Sequence, residues 1–559
     1  MLEVVARSHR GRICEYKRGG ESVSTPFVMS SEGPVSVSRD GSSRVLRLMG
    51  AEAPLDPPVM PTASSRQSSG PASFGPVCVA RLPLPDPLAI PCDAEMVVVP
   101  NAFELRGSPR RLAESVVRLR EAAGPGRLLC MLGIAEPSTI ALLTYMGVDV
   151  FDGSLAIAAG IRGARLMPEG EARADRDVSD ENASDLEAEC AKARAFTAAG
   201  RLRELVDQRA PSSTSSVAAL RIFDDAAYAY QEEACPTVGG RFACNTTQAL
   251  RRPDLRRHRD RIAERYSKPP HKRVLLLLPC SAKKPYHTSK SHKAFASAIH
   301  TARHDTLVHE VVVTSPLGIV PRELDVMYPA NSYDIPVTGE WKCEERAMIR
   351  GMVSALIAQG YDSVISHLDG DVLDGVADMT RTAVGDPASP ASLKRLDSAL
   401  REATRGMEPA SDFTERREMA KSVLAFQFGR EGADAIMDAD TYAIGKFPYW
   451  KIIREDPSDR SNKVQLGMLT PERGMVSLTL EGAEALARVS NAVEMTDFEM
   501  KGNLFAVGVE SADRRIRIGD EAIVVRNGEV AGVGVAEMSG REMEELRRGI
   551  AVKIRHKRK

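Results

Sequence analysis

Residues Val274–His292 read VLLLLPCSAKKPYHTSKSH, and this stretch organises the rest of the chain. Its run of Val and Leu predicts a buried strand, which Pro279 ends because proline has no N–H to donate to a neighbouring strand. The residues that follow form a loop at the carboxyl end of that strand, where open α/β sheets bind their ligands. The stretch therefore predicts an α/β domain with a functional site at this loop.

The loop gathers reactive side chains into a short span. Continued to Lys293, it holds one thiol, four ammonium groups, several hydroxyls, a phenol and two imidazoles, from Cys280, Lys283, Lys284, Lys290, Lys293, Ser281, Ser289, Tyr286, His287 and His292. Because nearby positive charge favours a thiolate, Cys280 is predicted to have a lowered pKa and to act as a nucleophile. His292 is the candidate proton shuttle. The alternative is a basic turn that binds phosphate, with Cys280 a small buried residue.

The pattern PCxxxKPYxxSxxH, from Pro279 to His292, resembles the signature of the archaeosine synthases, tRNA-modifying relatives of tRNA-guanine transglycosylase. The resemblance implies an α/β multidomain chain. Its expected parts are a degenerate transglycosylase-like β/α barrel (1–234), a central three-layer α/β sandwich with the motif (235–405), a small α+β connecting domain (406–485) and a C-terminal PUA RNA-binding β-barrel (486–559). The implied catalytic residues are Cys280, Lys284, Tyr286, Ser289 and His292.

Length and charge agree with a multidomain chain that contacts nucleic acid. The 559 residues are enough for roughly three to five domains. The formal net charge of −1 hides an acidic stretch, Glu169–Glu189, and two basic ones, Arg251–Arg273 and Lys553–Lys559. The ten Lys and Arg residues of Arg251–Arg273 predict either a solvated helix or a helix that faces phosphate.

Cysteine usage and hydropathy indicate a cytoplasmic protein. No apolar run approaches the roughly twenty residues of a membrane-spanning helix, and the N-terminus lacks the apolar core of a signal peptide. Nine scattered cysteines without a CxxC pair indicate free thiols in a reducing compartment. No cofactor or metal is expected. A zinc site at Cys235 and Cys244, with His258 and His271 beyond, stays open although the spacing matches no common zinc pattern.

The N-terminal segments EVVARSHRGRICEY and STPFVM resemble the opening hairpin of transglycosylases. Alternating strand and helix patterns follow and predict parallel β/α units. Asp149 and Asp152 stand near a GVD-FD string, where a working transglycosylase has its nucleophile. An SGGFQ-like substrate segment and a CxCxxC…H zinc cluster are both missing from the sequence. The prediction is therefore a scaffold that has lost base exchange, with a base-exchanging transglycosylase as the alternative.

Two further strands are predicted beside the motif strand, near HEVVVT and YDSVIS. Neighbouring parallel strands open towards the same crevice. Asn331, Tyr333 and Asp334 are therefore expected opposite the motif loop, as residues that bind a purine-like ring. His367, at the end of the third strand, is interpreted as structural.

The C-terminal segments KGNLFAVGV, ADRRIRIGDEAIVV and GEVAGVGVAEM resemble a PUA domain, with turn dipeptides at Gly519-Asp520 and Asn527-Gly528. The resemblance implies that Lys501, Gly502, Gly519 and Asp520 lie near the RNA face. The basic tail is predicted to clamp phosphate through Lys553, Arg555 and Lys557.

The resemblance implies a reaction on tRNA that carries 7-cyano-7-deazaguanine at D-loop position 15. Lysine, the expected co-substrate, adds its amine to the nitrile, and a radical S-adenosylmethionine (SAM) protein partner converts the adduct to archaeosine. Cys280 would form a thioimidate that lysine displaces, with His292 shuttling protons. In the rival scheme the enzyme only positions the nitrile. A homo-oligomer is expected, and a non-catalytic tRNA-binding subunit is the remaining alternative.

Overall fold

The computed structural model describes residues 1–30, 33–40, 43–56, 70–301, 305–337, 340–459 and 461–558. Most of a Pro- and Ser-rich stretch between Pro54 and Pro76 lies outside these residues. Within them, no helix combines the length and the apolar character needed to cross a membrane.

The N-terminal part alternates strands and helices. Its strands are β1 (Leu2–Ser8), β2 (Gly11–Arg18), β3 (Glu21–Ser24), β4 (Phe27–Met29), β5 (Val35–Asp40), β6 (Ser43–Leu48), β7 (Ala51–Pro54), β8 (Ala72–Phe74), β9 (Val77–Val79), β10 (Met96–Val99), β11 (Leu128–Met131), β12 (Val150–Asp152), β13 (Ala164–Met167) and β14 (Gly170–Arg173). Its helices are α1 (Pro109–Ala123), α2 (Ile140–Met146), α3 (Ser154–Ile161), α4 (Ser179–Ala198), α5 (Leu202–Arg209), α6 (Thr214–Ala226) and α7 (Tyr228–Glu233).

One six-stranded sheet forms the core of this part, in the order β4-β12-β11-β10-β9-β8. Neighbouring strands from β4 to β9 are parallel, and β8 pairs antiparallel at the edge. All side chains of β10 and β11 are buried, as expected for parallel strands covered on both faces. The predicted α/β class is confirmed, and this open sheet has five parallel strands among the described residues against the eight of a complete barrel.

The acidic stretch Glu169–Glu189 is helical in its second half. This half forms the start of α4, where Leu186 is buried against the N-terminal core and the Glu189 carboxylate is buried and paired with Lys192 and Arg209. The helix period of its few apolar residues, rather than its charge, decides this structure.

The central part is a three-layer α/β sandwich, as predicted. Its strands are β15 (Phe242–Ala243), β16 (Val274–Pro279), β17 (Val308–Thr314), β18 (Gly318–Pro321), β19 (Tyr333–Asp334), β20 (Ser363–Ser366) and β21 (Thr380–Arg381). Its helices are α8 (Pro253–Glu264), α9 (Lys290–Thr301), α10 (Cys343–Ile357) and α11 (Pro390–Ala403). The five-stranded sheet has the order β18-β17-β16-β20-β21, so β16 is its central strand.

Alternation along β16 produces the two outer layers. Val274, Leu276 and Leu278 pack against α9 and α11, whereas Leu275 and Leu277 pack against α8 and α10. Successive strand residues point to opposite faces, so a fully apolar strand is stable only when helices cover both faces. The sandwich therefore fixes the end of β16 rigidly.

The connecting part is one long helix on an antiparallel sheet, in agreement with the predicted α+β domain. It comprises α12 (Asp412–Ile436), α13 (Leu480–Leu486), β22 (Thr441–Ile444), β23 (Trp450–Glu455), β24 (Lys463–Thr470) and β25 (Met475–Leu478). The sheet order follows the chain order. Gly429 breaks the helical conformation inside α12, where that residue has φ 83°.

The C-terminal part is a six-stranded sheet with the order β27-β31-β30-β29-β26-β28. Its elements are β26 (Ala492–Met495), β27 (Leu504–Phe505), β28 (Val509–Ala512), β29 (Glu521–Arg526), β30 (Glu529–Ala536), α14 (Gly540–Glu545) and β31 (Ile550–Lys557). Its core is continuous with that of the N-terminal sheet. Arg517 also forms an ion pair with Glu232 at 2.7 Å, so the C-terminal part packs against the N-terminal part.

Candidate active site

Cys280 follows the central strand of the sandwich directly. β16 and β17 are parallel, with Pro279 opposite Val313, so Cys280 and Ser315 leave neighbouring strands at the same edge of the sheet. The Cys280 side chain is half-buried and lines a cavity of about 420 Å³. Small-molecule sites have volumes of this order.

The cavity mixes flat apolar surface with hydrogen-bonding groups. Besides Cys280, it is lined by Cys244, Asn245, Thr246, Thr247, Leu250, Ser315, Ile335, Pro336, Val337, Glu340, Trp341, Lys342 and Glu345. An indole and aliphatic side chains can hold a planar ring, and amide and hydroxyl groups can bond to its edge. The cavity thus suits a nucleobase.

Burial reverses the predicted acidity of the thiol. It raises the pKa of Cys280 above its ordinary value, and Thr314 and Lys284 only partly offset this effect. The prediction of a lowered pKa is wrong because burial outweighs the effect of Lys284 on the thiol, while Lys283, Lys290 and Lys293 are exposed to solvent. Cys280 therefore needs a proton acceptor when it reacts.

Lys284 is the loop lysine that turns inwards. Its Nζ lies 4.1 Å from the ring centroid of Tyr333 and 6.0 Å from that of Tyr286. Burial lowers the pKa of Lys284, and Cys280 and Asp334 partly counter this. A cation held over aromatic faces next to a sulfur can stabilise negative charge that develops there.

Tyr286 stabilises the site through a chain of hydroxyl contacts. Its hydroxyl contacts that of Tyr333, which in turn contacts Thr314 Oγ1 at 2.6 Å. Both tyrosines are buried, and burial raises the pKa of each above its ordinary value. A neutral hydroxyl chain of this kind fixes the loop to the end of β17.

The structure does not place His292 in the Cys280 cavity. The imidazole is buried and borders a different cavity of about 770 Å³, next to His287, Arg322 and Phe447. Arg322 donates to its Nδ1 at 2.8 Å, so a neutral ring carries its proton on Nε2. Burial, followed by the charge of Arg322, lowers the pKa of His292 to about 3. These surroundings do not support the predicted proton shuttle, and the role of His292 in catalysis stays a prediction.

Ser289 also has a structural position. It is buried, and its Oγ accepts a hydrogen bond from the backbone N–H of His292 at 3.2 Å. A serine hydroxyl in this position caps the first turn of a helix, here α9. The motif serine and histidine therefore anchor the helix that follows the loop.

The three predicted ring-binding residues have different surroundings. Tyr333 and Asp334 lie opposite the motif loop, on β19, near Lys284. Asn331 is turned away: its Nδ2 donates to the carbonyl of Val326 at 2.7 Å, and Ser332 donates to its Oδ1 at 2.6 Å. Tyr333 is buried with its hydroxyl occupied, so its ring supports Lys284 and does not line the cavity.

Several cavity residues were not foreseen from the sequence. Ser315 is buried and donates to Glu345 Oε1, while Glu345 Oε2 accepts from the backbone N–H of Lys342 at 2.8 Å. Glu345 is distant in sequence from the motif, and no motif pattern marked it. Trp341, one of two tryptophans in the chain, was the one compositional signal.

The arginine-rich helix α8 does not offer all its cations to a ligand. Arg252 and Arg257 are buried, the first against the Asp254 carboxylate and the second against Glu232 and backbone carbonyls. Arg252 precedes α8 and Arg257 lies in it, and neither side chain faces phosphate, because carboxylates already neutralise both.

The suggested zinc ligands are not assembled. Among the described residues, the one group of three candidate metal ligands is His9, Cys235 and Asp254. Cys244 instead lines the Cys280 cavity. Asp254 already accepts four hydrogen bonds, from Arg252, Tyr328 and the N–H of Leu255, so a metal would have to displace one of them.

The N-terminal aspartates are structural. Asp149 is buried and accepts from Arg12 at 2.9 Å and from Arg120 at 2.6 Å. The charge of Arg12 and Arg120, acting against burial, lowers its pKa. Asp152 accepts from the N–H of Gly133 at 2.6 Å. His367 is likewise held at both ring nitrogens, by Thr382 and the carbonyl of Pro387.

The implied RNA-facing residues of the C-terminal part divide into two groups. Lys501, Gly502, Lys553 and Lys557 are exposed.

The others face the interior. A Cβ on Gly519 would lie 2.5 Å from Val238, Asp520 is buried and accepts from the N–H of Arg517, and Arg555 bonds to buried Glu521. Gly519 therefore packs against another part of the chain, while Asp520 and Arg555 form contacts inside the C-terminal part.

Two family models match the chain. One is described as a domain of unknown function, DUF5591, and matches residues 255–400; the other is the PUA domain and matches residues 492–558. The first region contains the complete motif and the sheet that positions it. The second corresponds to the six-stranded C-terminal sheet.

Curated relatives match most of the chain. The archaeosine synthase subunit alpha of Thermoplasma acidophilum is 34% identical over 82% of this chain and 88% of its own length. The archaeosine synthase of Haloferax volcanii is 31% identical over 99% of both chains. The tRNA-guanine(15) transglycosylase of Methanothermobacter thermautotrophicus is 23% identical over 80% of this chain and 68% of its own length.

Proposed function

This chain belongs to the archaeosine synthase family, and we propose that it adds the amine of lysine to the nitrile of 7-cyano-7-deazaguanine at D-loop position 15 of tRNA. A radical SAM partner then converts the lysine adduct to archaeosine. The observation that carries the proposal is the sulfur of Cys280, which lines a nucleobase-sized cavity at the carboxyl edge of the central sheet.

In the preferred scheme Cys280 is a covalent catalyst. Its sulfur attacks the nitrile carbon to form a C–S bond, and the thiol proton goes to the nitrile nitrogen, giving a thioimidate. The lysine amine then forms a C–N bond at the same carbon and loses a proton, while the C–S bond breaks and Cys280 recovers its proton. The product is an amidine, and no oxidant or reductant is consumed.

Lys284 assists the first step in this proposal. Its ammonium is held over Tyr333 and lowers the pKa of the Cys280 thiol, although burial dominates. A fixed positive charge stabilises both a thiolate and the nitrogen that gains electrons when the nitrile is attacked. Tyr286 acts indirectly, through its contact with Tyr333.

The tRNA would be held at a second surface, on the C-terminal part. Lys501, Lys553 and Lys557 are exposed there and supply positive charge for the phosphate backbone. Most of the affinity of such contacts is independent of sequence, so the base would be selected in the Cys280 cavity.

Mass spectrometry of tRNA nucleosides tests the overall function. After incubation with the enzyme, lysine and tRNA bearing the nitrile base, the expected product is a lysine adduct of that base. Labelled guanine entering the tRNA without an adduct would instead indicate base exchange. Binding without either reaction would indicate a non-catalytic tRNA-binding subunit.

Omitting lysine separates the two chemical schemes. Wild type and Cys280→Ser are mixed with nitrile-bearing tRNA, denatured and weighed by mass spectrometry. The covalent scheme predicts a protein–tRNA adduct for wild type only. Wild type that forms the lysine product in a full reaction yet traps no adduct would leave the positioning scheme standing. The amine donor, the radical SAM partner and the homo-oligomer stay predictions.

A further inference from the structure

We infer that Glu345 and Ser315 form a subsite for the cationic amine donor beside Cys280, and that Glu345 takes up the donor's proton. The inference rests on the function proposed above and names the residues that recognise the second substrate. His292 borders a different cavity, so the Cys280 cavity requires another proton acceptor.

The backbone brings this pair to the thiol. Ser315 leaves β17 next to the point where Cys280 leaves β16. Glu345 lies in the first turn of α10, and its side chain lines the same cavity as both residues. Three chain segments that are far apart in sequence therefore present a sulfur, a hydroxyl and a carboxylate to one space.

Two hydrogen bonds hold the Glu345 carboxylate in place and leave it able to accept more. Oε1 accepts from the Ser315 hydroxyl, and Oε2 accepts from the backbone N–H of Lys342. A carboxylate has about four acceptor positions, so about two remain for a ligand. Its place in the first turn of α10 puts its negative charge at the positive end of the helix dipole.

The charge of the subsite matches an alkylammonium group. Among the described residues no lysine or arginine forms an ion pair with Glu345, and the cavity is lined by two glutamates, Glu340 and Glu345, against one cation, Lys342. An amine such as that of lysine arrives protonated, because its ordinary pKa of about 10.4 is far above neutral. The carboxylate would attract this cation and orient it towards the carbon attached to Cys280.

Proton transfer to Glu345 makes the amine reactive. The ammonium gives one proton to the carboxylate, and the free electron pair on nitrogen forms the C–N bond as the C–S bond breaks. The proton then passes from Glu345 to the departing sulfur, so the carboxylate and the thiol both return to their starting states. Ser315 acts as a positioning residue, since its hydroxyl bonds to the carboxylate.

The Glu345→Gln variant tests the subsite in the full-length protein. Glutamine can accept from the Lys342 N–H with its one oxygen and donate its amide N–H to the Ser315 hydroxyl oxygen, but it lacks the charge and the basicity. We expect kcat/KM for lysine to fall by about 10²–10⁴-fold, the usual range for loss of a general base, while the Kd for nitrile-bearing tRNA stays unchanged. Ser315→Ala should give a smaller loss.

Two comparisons separate catalysis from structure. Glu344→Gln is the matched control, because Glu344 is exposed on the same turn and lines the neighbouring cavity instead. Hydroxylamine, which is unprotonated at neutral pH, should react with the Glu345→Gln thioimidate nearly as fast as with that of wild type. Equal losses with both amines, or equal losses in the Glu344→Gln and Glu345→Gln variants, would overturn the inference.

Failure of the inference is distinguishable from failure of the proposed function. If wild type forms no lysine adduct on the tRNA, the proposed function itself is wrong. If wild type forms the adduct and Glu345→Gln does so at the same rate, only the assignment of Glu345 is wrong.

Discussion

The sulfur of Cys280 lies where two effects on its pKa oppose each other. Burial at the exit of β16 favours the neutral thiol, while Thr314 and Lys284 favour the thiolate, and burial is the larger effect. A buried charge is costly even with a cation near it. A thiol of this kind is unreactive without substrate. It reacts when the nitrile nitrogen can accept its proton.

The pH dependence of thiol alkylation checks this account. Because the thiolate reacts and the pKa is raised, the inflection in the alkylation rate of Cys280 should lie above that of free cysteine. Lys284→Met removes a charge that lowers this pKa, so it should move the inflection higher and slow alkylation several-fold at neutral pH. Rates are read by mass spectrometry of the Cys280 peptide.

Lys283→Met is the matched control for that experiment, because Lys283 is an exposed neighbour of Lys284. It should leave the inflection unchanged. An inflection below that of free cysteine would contradict the account, and so would identical behaviour of the two lysine variants.

Strand β31 contains the basic tail. A β-bulge in this strand directs some of its cationic side chains inwards and others to solvent. Along the β30–β31 pairing, His556 lies opposite Val533 and Ile554 opposite Gly534, so Arg555 is the extra residue of a bulge. A bulge interrupts the alternation of side chains between the two faces of a strand. Arg555 consequently reaches buried Glu521 and the carbonyl of Leu478, whereas Lys553 and Lys557 stay exposed.

Salt-dependent tRNA binding should distinguish the two kinds of cation. Lys553→Gln and Lys557→Gln are each expected to weaken binding and to reduce the slope of log K against log salt by about 0.7–0.9, as for the loss of one phosphate contact. Arg555→Gln should instead lower the free energy of unfolding by about 1–3 kcal/mol, because it removes hydrogen bonds to a buried carboxylate. Fluorescence anisotropy and urea titration measure the two quantities.

The Arg555→Gln variant tests the assignment of this side chain to the interior. Arg473 also pairs with Glu521 at 2.7 Å, which limits the loss of stability when Arg555 is changed. A full unit change in the salt slope for Arg555→Gln, with no change in stability, would contradict its assignment to the interior.

Three buried histidines have lowered pKa values. His9 lies between the N-terminal part and Asp254, His258 packs against Phe426 of α12, and His292 lies beside Arg322 inside the central part. Burial is the main cause that lowers the pKa of His9 to about 3, of His258 to about 4 and of His292 to about 3. Each ring must stay neutral for its surroundings to stay packed.

The whole molecule should therefore lose stability in mild acid. Below the unfolded pKa of about 6.5 the unfolded chain binds protons that the folded chain cannot, so stability is full above about pH 7 and falls towards pH 4. Each of these histidines contributes up to about 1.4 kcal/mol per pH unit. Asp224, whose pKa is raised to about 6 mainly by burial, works in the opposite direction.

Urea midpoints at pH 7 and pH 5 measure this effect. His258→Gln should reduce the difference between the two midpoints, because glutamine does not titrate. His300→Gln is the control, since the side chain of His300 is exposed. Midpoints of the wild-type protein that are equal at the two pH values would contradict the prediction.

The sequence alone determined individual local elements, such as the motif strand and the turns of the C-terminal part. The apolar run Val274–Leu278 could only be a strand covered on both faces, and the turn dipeptides at Gly519-Asp520 and Asn527-Gly528 predicted the C-terminal strands. These signals are local, because strand and turn preferences depend on neighbours in the chain. The motif likewise located Cys280 at the end of the central strand.

Only the tertiary structure decided which side chains meet. It placed Ser315 and Glu345 beside Cys280, directed His292 to another cavity and turned Asn331 and Arg555 inwards. It also decided the pKa of Cys280, because burial depends on elements that are distant in sequence. The sequence of a loop shows how many charged residues it contains, but not how far each side chain is exposed to water. That exposure determines whether a thiol ionises.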